Sequence, residues 1–325
     1  MKINDRIRGA LIAALVVAVS VSFAAAEEWD LGGASTIKLK GVSGDVVVRP
    51  ADRGEAYVEL YSDVYPRDAF EPSVTLEGST LRINEDWHGS GSGEVRWTIY
   101  LPRHGGQELR IATASGDLDC EDVTLRVDLD TASGDIRLVN VDLEPDSDLS
   151  TASGDYEIED MTIREGTRFS TASGDIRLEN VEVEEGVKFS SASGDIEATS
   201  CTGHLRLSSA SGDVVLRRST LIGRGKFSSA SGDVELYLDE LPPEGLSASS
   251  ASGNVTLDAA DFGGNYTLVM VRNEEHGRIQ CPFDITSERT FREHRSTYEE
   301  QRVERGSGGP EIELETGSGR VVVKN

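Results

Sequence analysis

Apolar and polar residues alternate along most of this chain in short runs, and the runs recur. Count each unit from the aspartate of a Ser-Gly-Asp triplet. Positions +1 and +3 are then apolar, as in Ile136/Leu138, Ile176/Leu178, Val214/Leu216, Val234/Leu236 and Val255/Leu257, while +2 is mostly polar. A period of two marks a half-buried strand, because successive side chains face opposite sides of the pleat. A second apolar pair often follows at +6 and +8 (Val123/Leu125, Val141/Leu143, Met161/Ile163, Val181/Val183). A third apolar site lies six residues before the aspartate (Ile111, Leu129, Leu149, Phe169, Phe189, Leu207, Phe227). From that site to +1 is an odd number of residues, so the inward-outward parity must flip between them. The Ser-Gly-Asp corner is where the flip is expected, with its glycine permitting positive φ and its Asp or Ser bonding nearby backbone groups. Each unit therefore predicts about three short strands around an apolar interior.

The triplets begin at Ser115, Ser133, Ser153, Ser173, Ser193, Ser211 and Ser231, followed by Ser252-Gly253-Asn254, in steps of 18 to 21 residues. A period near 20 means stacked coils. The fold class expected is all-β: a single-domain parallel β-solenoid, or β-helix, of about ten coils, right-handed as most parallel crossovers are. Eight central coils at ~4.8 Å per rung give a rod of about 38 Å. In register, the +2 residues Arg137, Glu157, Arg177 and Glu197 form a column of alternating charge, which supports that pairing.

Two outlying segments repeat the grammar: Leu39, Ser43-Gly44-Asp45, Val46 and Val48, and Leu314, Thr316, Ser318-Gly319-Arg320, Val321 and Val323. They read as the first and last coils, each separated from the array by an insertion. The N-terminal insertion holds strand-like runs at Tyr57–Tyr61, Val74–Leu76, Leu81–Ile83 and Val95–Leu101. In the second, from about Phe262 to Pro310, the highly charged Ser287–Arg305 stretch reads as an exposed loop or short helix. Open solenoid ends invite aggregation, so capping is the first role expected of both insertions. The organisation expected is a signal peptide over 1–26, an N-terminal coil and β cap over 27–110, the central solenoid over 111–260, and an insertion with the closing coil over 261–325.

The beginning of the chain resembles a secretory signal: Lys2, Arg6 and Arg8, an apolar run from Ala10 to Phe23, then Ala24-Ala25-Ala26 before Glu27. The apolar run is short for a membrane span, and no later segment is a candidate for one. The full chain carries a formal charge of −26; residues 1–26 hold three basic and one acidic residue, so their removal leaves −28. Such acidity argues against nucleic acid as a partner, since phosphate binding needs Lys/Arg patches. The three cysteines, Cys120, Cys201 and Cys281, are an odd number. Cys120 and Cys201 sit four coils apart, ~19 Å, beyond disulfide reach. Both occupy inward sites and read as small core residues.

The chain resembles the bacterial putative-adhesin domain family, an exported β-solenoid group of unknown function. The matching features are the Thr36–Val48 unit, Ile99-Tyr100-Leu101-Pro102 leading into Leu109-Arg110-Ile111, the Ala-Ser-Gly-Asp coils, Gly277-Arg278-Ile279 to Phe283, and the closing Gly-Ser-Gly unit. The resemblance implies a solenoid and an envelope location. It carries no agreed functional residues.

The foremost candidate for chemistry is the corner ladder Asp117, Asp135, Asp155, Asp175, Asp195, Asp213 and Asp233. Stacked carboxylates ~5 Å apart repel by about 0.9 kcal/mol per adjacent pair in water, so something must offset them. One reading is bridging by calcium, a hard cation that takes several oxygens. The favoured reading is that each aspartate accepts hydrogen bonds from corner amides, and no cofactor is expected. A second ladder, Thr113, Thr131, Thr151, Thr171, Ser191, Ser209, Ser229 and Ser250, could order water if it faced outward, but parity turns it inward. His88, His104, His204, His276 and His294 are scattered, without metal-ligand spacing. Trp87, Trp97 and Tyr100 could stack on sugars but read better as cover for the N-terminal end of the core. The function expected is a non-enzymatic exported envelope protein, an adhesin or scaffold presenting a repetitive acidic face to a surface polymer or protein. The alternatives are a carbohydrate-active or carbohydrate-binding β-helix with a site built by the insertions, and a self-assembling solenoid. The expected location is the periplasm, cell surface or exterior.

Overall fold

The computed structural model describes residues 25–325 except 104, 261, 294 and 295. The predicted secretory segment lies almost wholly outside the described residues. The chain is a parallel β-solenoid. A typical coil has a strand after the corner (Tyr156–Glu159), a two-residue strand (Thr162–Ile163) and a strand before the next corner (Arg168–Thr171). Equivalent strands of neighbouring coils pair in register. The first sheet stacks Ile136, Tyr156, Ile176 and Ile196, and the second stacks Leu149, Phe169, Phe189 and Leu207. The predicted +2 column is present in that register, with Arg137 opposite Glu157, and Arg177 between Glu157 and Glu197.

The −6, +1, +3, +6 and +8 positions converge on one continuous core. Phe169 and Phe189 stack with ring centroids 5.1 Å apart, and Tyr156 meets Phe169 edge-on. Tyr156 is fully buried at +1, and its hydroxyl lies 2.7 Å from Leu149 O and 2.9 Å from Ser170 O. An otherwise costly buried phenol is thereby satisfied. Each Leu, Ile, Val or Phe withdrawn from water contributes about 1.5–3 kcal/mol.

The ends depart from chain order. At the N-terminal end of the second sheet the spatial order is Phe70–Glu77, Thr80–Trp87, Thr36–Lys40, Gln107–Thr113. In the first sheet it is Ala25–Asp30, Tyr57–Tyr65, Ser92–Leu101, Asp45–Pro50, Leu118–Glu121. The coil that comes first in the chain is thus clamped between the array and a layer that the insertion folds over it. The C-terminal end mirrors this arrangement. The closing strands Glu311–Thr316 and Arg320–Lys324 slot between Leu246–Ser250 or Val255–Asp258 on one side and Tyr266–Asn273 or Arg278–Gln280 on the other.

Ser287–Arg305 is neither loop nor helix. Ser287–Glu293 and Ser296–Arg305 form an antiparallel hairpin, and its second strand pairs with Tyr266–Asn273. Its charges satisfy one another across and along the strands: Arg289 binds Glu300 from the facing strand, Arg302 binds it from the same strand, and Arg272 binds Glu299. A charged outermost strand also blunts the open edge of a sheet.

Candidate functional site

The Ser-Gly-Asp corner carries three columns along the solenoid. In the first, Oδ1 of each aspartate accepts the backbone N–H of the corner residue one coil onward. Asp135 N lies 2.8 Å from Asp117, Asp155 N 2.9 Å from Asp135, Asp175 N 2.7 Å from Asp155, and Asp195 N 2.9 Å from Asp175. Asp213 N, Asp233 N and Asn254 N continue at 2.7 Å, and Asn254 Oδ1 takes Arg320 N at 3.0 Å. A hydrogen bond to a charged acceptor contributes about 1.5–3 kcal/mol. Repulsion between adjacent carboxylates at this spacing is about 0.9 kcal/mol in water before screening. The hydrogen bond is the larger effect. At Asp117, burial holds the carboxyl above its usual range, opposed by the Asp135 amide and reinforced by Asp45 and Asp135. Among the described residues, no group of three or more His, Cys, Asp or Glu side chains is placed to hold a metal ion.

The second column is the hydroxyl ladder, and it faces inward. Each hydroxyl accepts the N–H of its own corner glycine, and from Thr151 onward each also donates to the glycine carbonyl one coil back. For Ser191 these distances are 2.8 Å (Gly194 N) and 3.1 Å (Gly174 O), and for Ser229 2.9 Å and 2.9 Å. Thr316 repeats the motif in the closing coil. The third column is the glycines themselves. None of the array corners, Gly116 to Gly253, has positive φ. The expectation of a left-handed corner is therefore corrected. A Cβ on Gly174 would lie 1.9 Å from Gly154 O, so close stacking excludes any side chain.

Positive φ belongs to the next bend, at +5: Asp122, Asn140, Asp160, Asn180 and Ser200 lie between 52° and 58°. Asn140 Nδ2 donates to Asp122 and Asn180 Nδ2 to Asp160, each at 2.6 Å. These residue types tolerate the left-handed region and bond locally. Asn140, Asp160, Asn180 and Ser200, with Asp142 and Arg164, border an open groove of ≈ 690 Å³.

Glu85 carries no repeat signal, and it begins the glycine column. It is 6% exposed, and its Oε2 accepts Val42 N at 2.7 Å and Ser43 N and Gly44 N at 3.3 Å. Oε1 takes Trp97 Nε1 at 2.8 Å. Trp97 is fully buried, Trp87 packs against the core, and Tyr100 stacks on Tyr57 at 4.3 Å. The three therefore serve the cap and present no aromatic platform. His88 and His276 are exposed and His204 packs beside Gly223; His104 and His294 lie outside the described residues. All three cysteines are free. Burial raises the thiol pKa of Cys120 and pushes that of Cys201 up to about 11, which keeps both unreactive.

With this geometry in place, the chain can be set beside known proteins. The family described as Toastrack DUF4097 matches residues 34–267. A putative cell adhesion protein of Clostridium sporogenes aligns at 10% identity over 93% of this chain and 99% of its own, with a TM-score of 0.21. A putative lipid binding protein of Parabacteroides distasonis aligns at 13% over 94% and 98%, with a TM-score of 0.42. A putative adhesin of Bacteroides fragilis aligns at 13% over 93% and 98%, with a TM-score of 0.34. At such identities and scores, none of the three structures bears on function. No curated protein matches the chain.

Proposed function

The chain belongs to the Toastrack family, and from that premise we propose that it is a non-enzymatic exported protein of the cell envelope, an adhesin or scaffold that works through the long faces of its solenoid. The observation that carries this reading is the unbroken stacking of corners from Asp45 to Arg320, each coil hydrogen-bonded to the next. That construction presents the same few side chains again and again at ~4.8 Å, which suits a polymeric or repetitive partner better than a single small substrate. The buried ladders stiffen the rod, since fully satisfied polar networks specify one packing. No helix among the described residues is long and apolar enough to cross a membrane. Export rests on the basic, apolar and small-residue pattern at the start of the sequence.

The experiment is binding of residues 27–325 to purified envelope fractions and a glycan array, with polymer length followed over time. The expected result is saturable binding with the polymer left intact. Shortening of the polymer would make this an enzyme and direct attention to the insertions.

A further inference from the structure

The outer face of the second sheet carries a charge pattern opposite to that of the chain as a whole. Position −7 points outward there, and on four consecutive rungs it is basic: Arg168, Lys188, Arg206 and Lys226, all exposed. Arg168 is paired with Lys188 and Arg206 with Lys226, and the Phe189–Leu207 register sets Lys188 beside Arg206. Asp148 approaches Arg168 at 3.9 Å; Lys188, Arg206 and Lys226 form no ion pair or side-chain hydrogen bond with any described residue. Like charges set opposite one another destabilise a sheet. The same chain places alternating signs at Arg137 and Glu157 on its other sheet, where they pair at 3.4 Å. Folding therefore does not account for the basic column.

Position −5 adds a second outward column: Ser150, Ser170, Ser190, Ser208, Ser228 and Ser249, paired in register. Cations and hydroxyls thus run side by side over a shallow concavity of ≈ 410 Å³ bordered by Lys188, Ser190, Arg206, Ser208, Lys226 and Ser228. Acids close the strip at both ends, with Asp128 and Asp148 before Arg168, and Glu313 beyond Lys226 and Ser247.

We propose that this strip binds a linear acidic polysaccharide laid along the solenoid axis, its carboxylates on the basic column and its hydroxyls on the serines. The proposal rests on the envelope-adhesin reading and names its ligand. Guanidinium and ammonium groups recognise carboxylates through charge-assisted hydrogen bonds. Serine hydroxyls both donate and accept, as sugar hydroxyls do. The two columns consist of basic residues and serines, so a nucleic-acid strand would find no aromatic platform to stack on. Four cations span only ~14 Å between acidic ends, in a chain of net charge −26. That field repels densely charged polymers such as polyphosphate and admits one with a single charge per sugar.

The test is the affinity of the same protein for labelled polygalacturonate, measured by fluorescence anisotropy across a salt series. Neutral dextran and polyphosphate serve as comparisons. The triple variant Lys188→Ser, Arg206→Ser, Lys226→Ser removes most of the column, and Arg137→Ser removes a cation from the other sheet. Polygalacturonate is expected to bind and dextran to fail. The triple variant should bind at least about tenfold more weakly. At about −0.7 per neutralised charge on a flexible polyanion, the slope of log affinity against log salt should fall from about −2.8 to about −0.7. Arg137→Ser should change neither quantity. The triple variant should melt no lower than the wild type, because like-charge contacts have been removed. Undiminished binding by the triple variant, equal binding of dextran, tighter binding of polyphosphate, or dimerisation through the strip would each overturn the proposal. Envelope fractions separate the two readings. Envelope binding kept by the triple variant, with no affinity for polygalacturonate, overturns the strip alone. Loss of envelope binding by the wild type itself overturns the adhesin reading.

Discussion

Replacing one corner glycine in mid-array, Gly174→Ala, tests the claim that coil spacing rests on that column. The new Cβ would sit 1.9 Å from Gly154 O and 2.5 Å from Gly154 C, both rigid backbone. Reaching even a 3.0 Å separation from the oxygen requires the two coils to part locally by 1.1 Å, the difference between 3.0 and 1.9 Å. The same shift would stretch the Thr171 Oγ1 bond to Gly154 O, now 3.2 Å, and the Asp175 N bond to Asp155 Oδ1, now 2.7 Å, past useful length. Overpacking costs about 1–3 kcal/mol. Each buried or charge-assisted bond lost adds about 1–3 kcal/mol. A loss of about 3–5 kcal/mol is expected, a large fraction of the 5–15 kcal/mol typical of net stability. Chemical denaturation followed by circular dichroism would measure it, with Ser173→Ala as the control. Ser173 is exposed beside the same corner and should change stability by less than about 0.5 kcal/mol. A Gly174→Ala protein within that margin of wild type would refute the reasoning.

Other consequences arise from the same columns. Asp155→Asn keeps an oxygen acceptor for Asp175 N and should stay within about 0.5 kcal/mol of wild type, as the natural Asn254 rung suggests, whereas Asp155→Ala should lose about 1–2 kcal/mol in the same denaturation assay. Asp117 has a raised folded-state pKa, so its ionised form opposes folding above that pKa, and the opposition is relieved as pH falls through it. Asp117→Asn should therefore raise the melting temperature at pH 7, with the gain vanishing below about pH 3.9; a gain that persists in acid would contradict this. Glu85→Ala strands Trp97 Nε1 and the Val42 amide and should cost about 3 kcal/mol or more, with faster hydrogen exchange at residues 42–44. Because a corner amide already occupies Oδ1 of each aspartate, millimolar calcium should raise the melting temperature no more than magnesium does; a calcium-specific rise would favour the bridging reading, with Oδ2 as the ligand.

The solenoid was legible because its pattern is local and repeated. The −6, +1 and +3 sites mark the inward face in every coil, and the odd spacing across Ser-Gly-Asp locates the bend. The inward turn of Thr151 and its equivalents followed from parity alone. What the corner glycine does was not legible: a glycine forced by positive φ and one forced by a carbonyl 20 residues away look identical in a sequence. The swapped order of the ends was also hidden. The alternation in Thr80–Trp87 specifies a strand but not that Thr36–Lys40 is its neighbour. Glu85 reads as one more acid in a charged strand until the fold brings Gly44 against it. The charged Ser287–Arg305 stretch lacks an apolar stripe because its partners are charges across a hairpin. The basic strip is visible only when the repeats are aligned and read down a column, where Arg168, Lys188, Arg206 and Lys226 fall together.

The most direct test of the account is a coil-deletion series measured against purified envelope fractions. Residues 155–174 form one whole period, from one corner aspartate to the next corner glycine, so their removal should let Gly154 lead straight into Asp175 with the register kept. The account predicts that such proteins still fold, and that their saturable binding weakens step by step as one and then two coils are removed. Binding indifferent to coil number, or abolished by a single substitution in either end insertion with every coil in place, would contradict it.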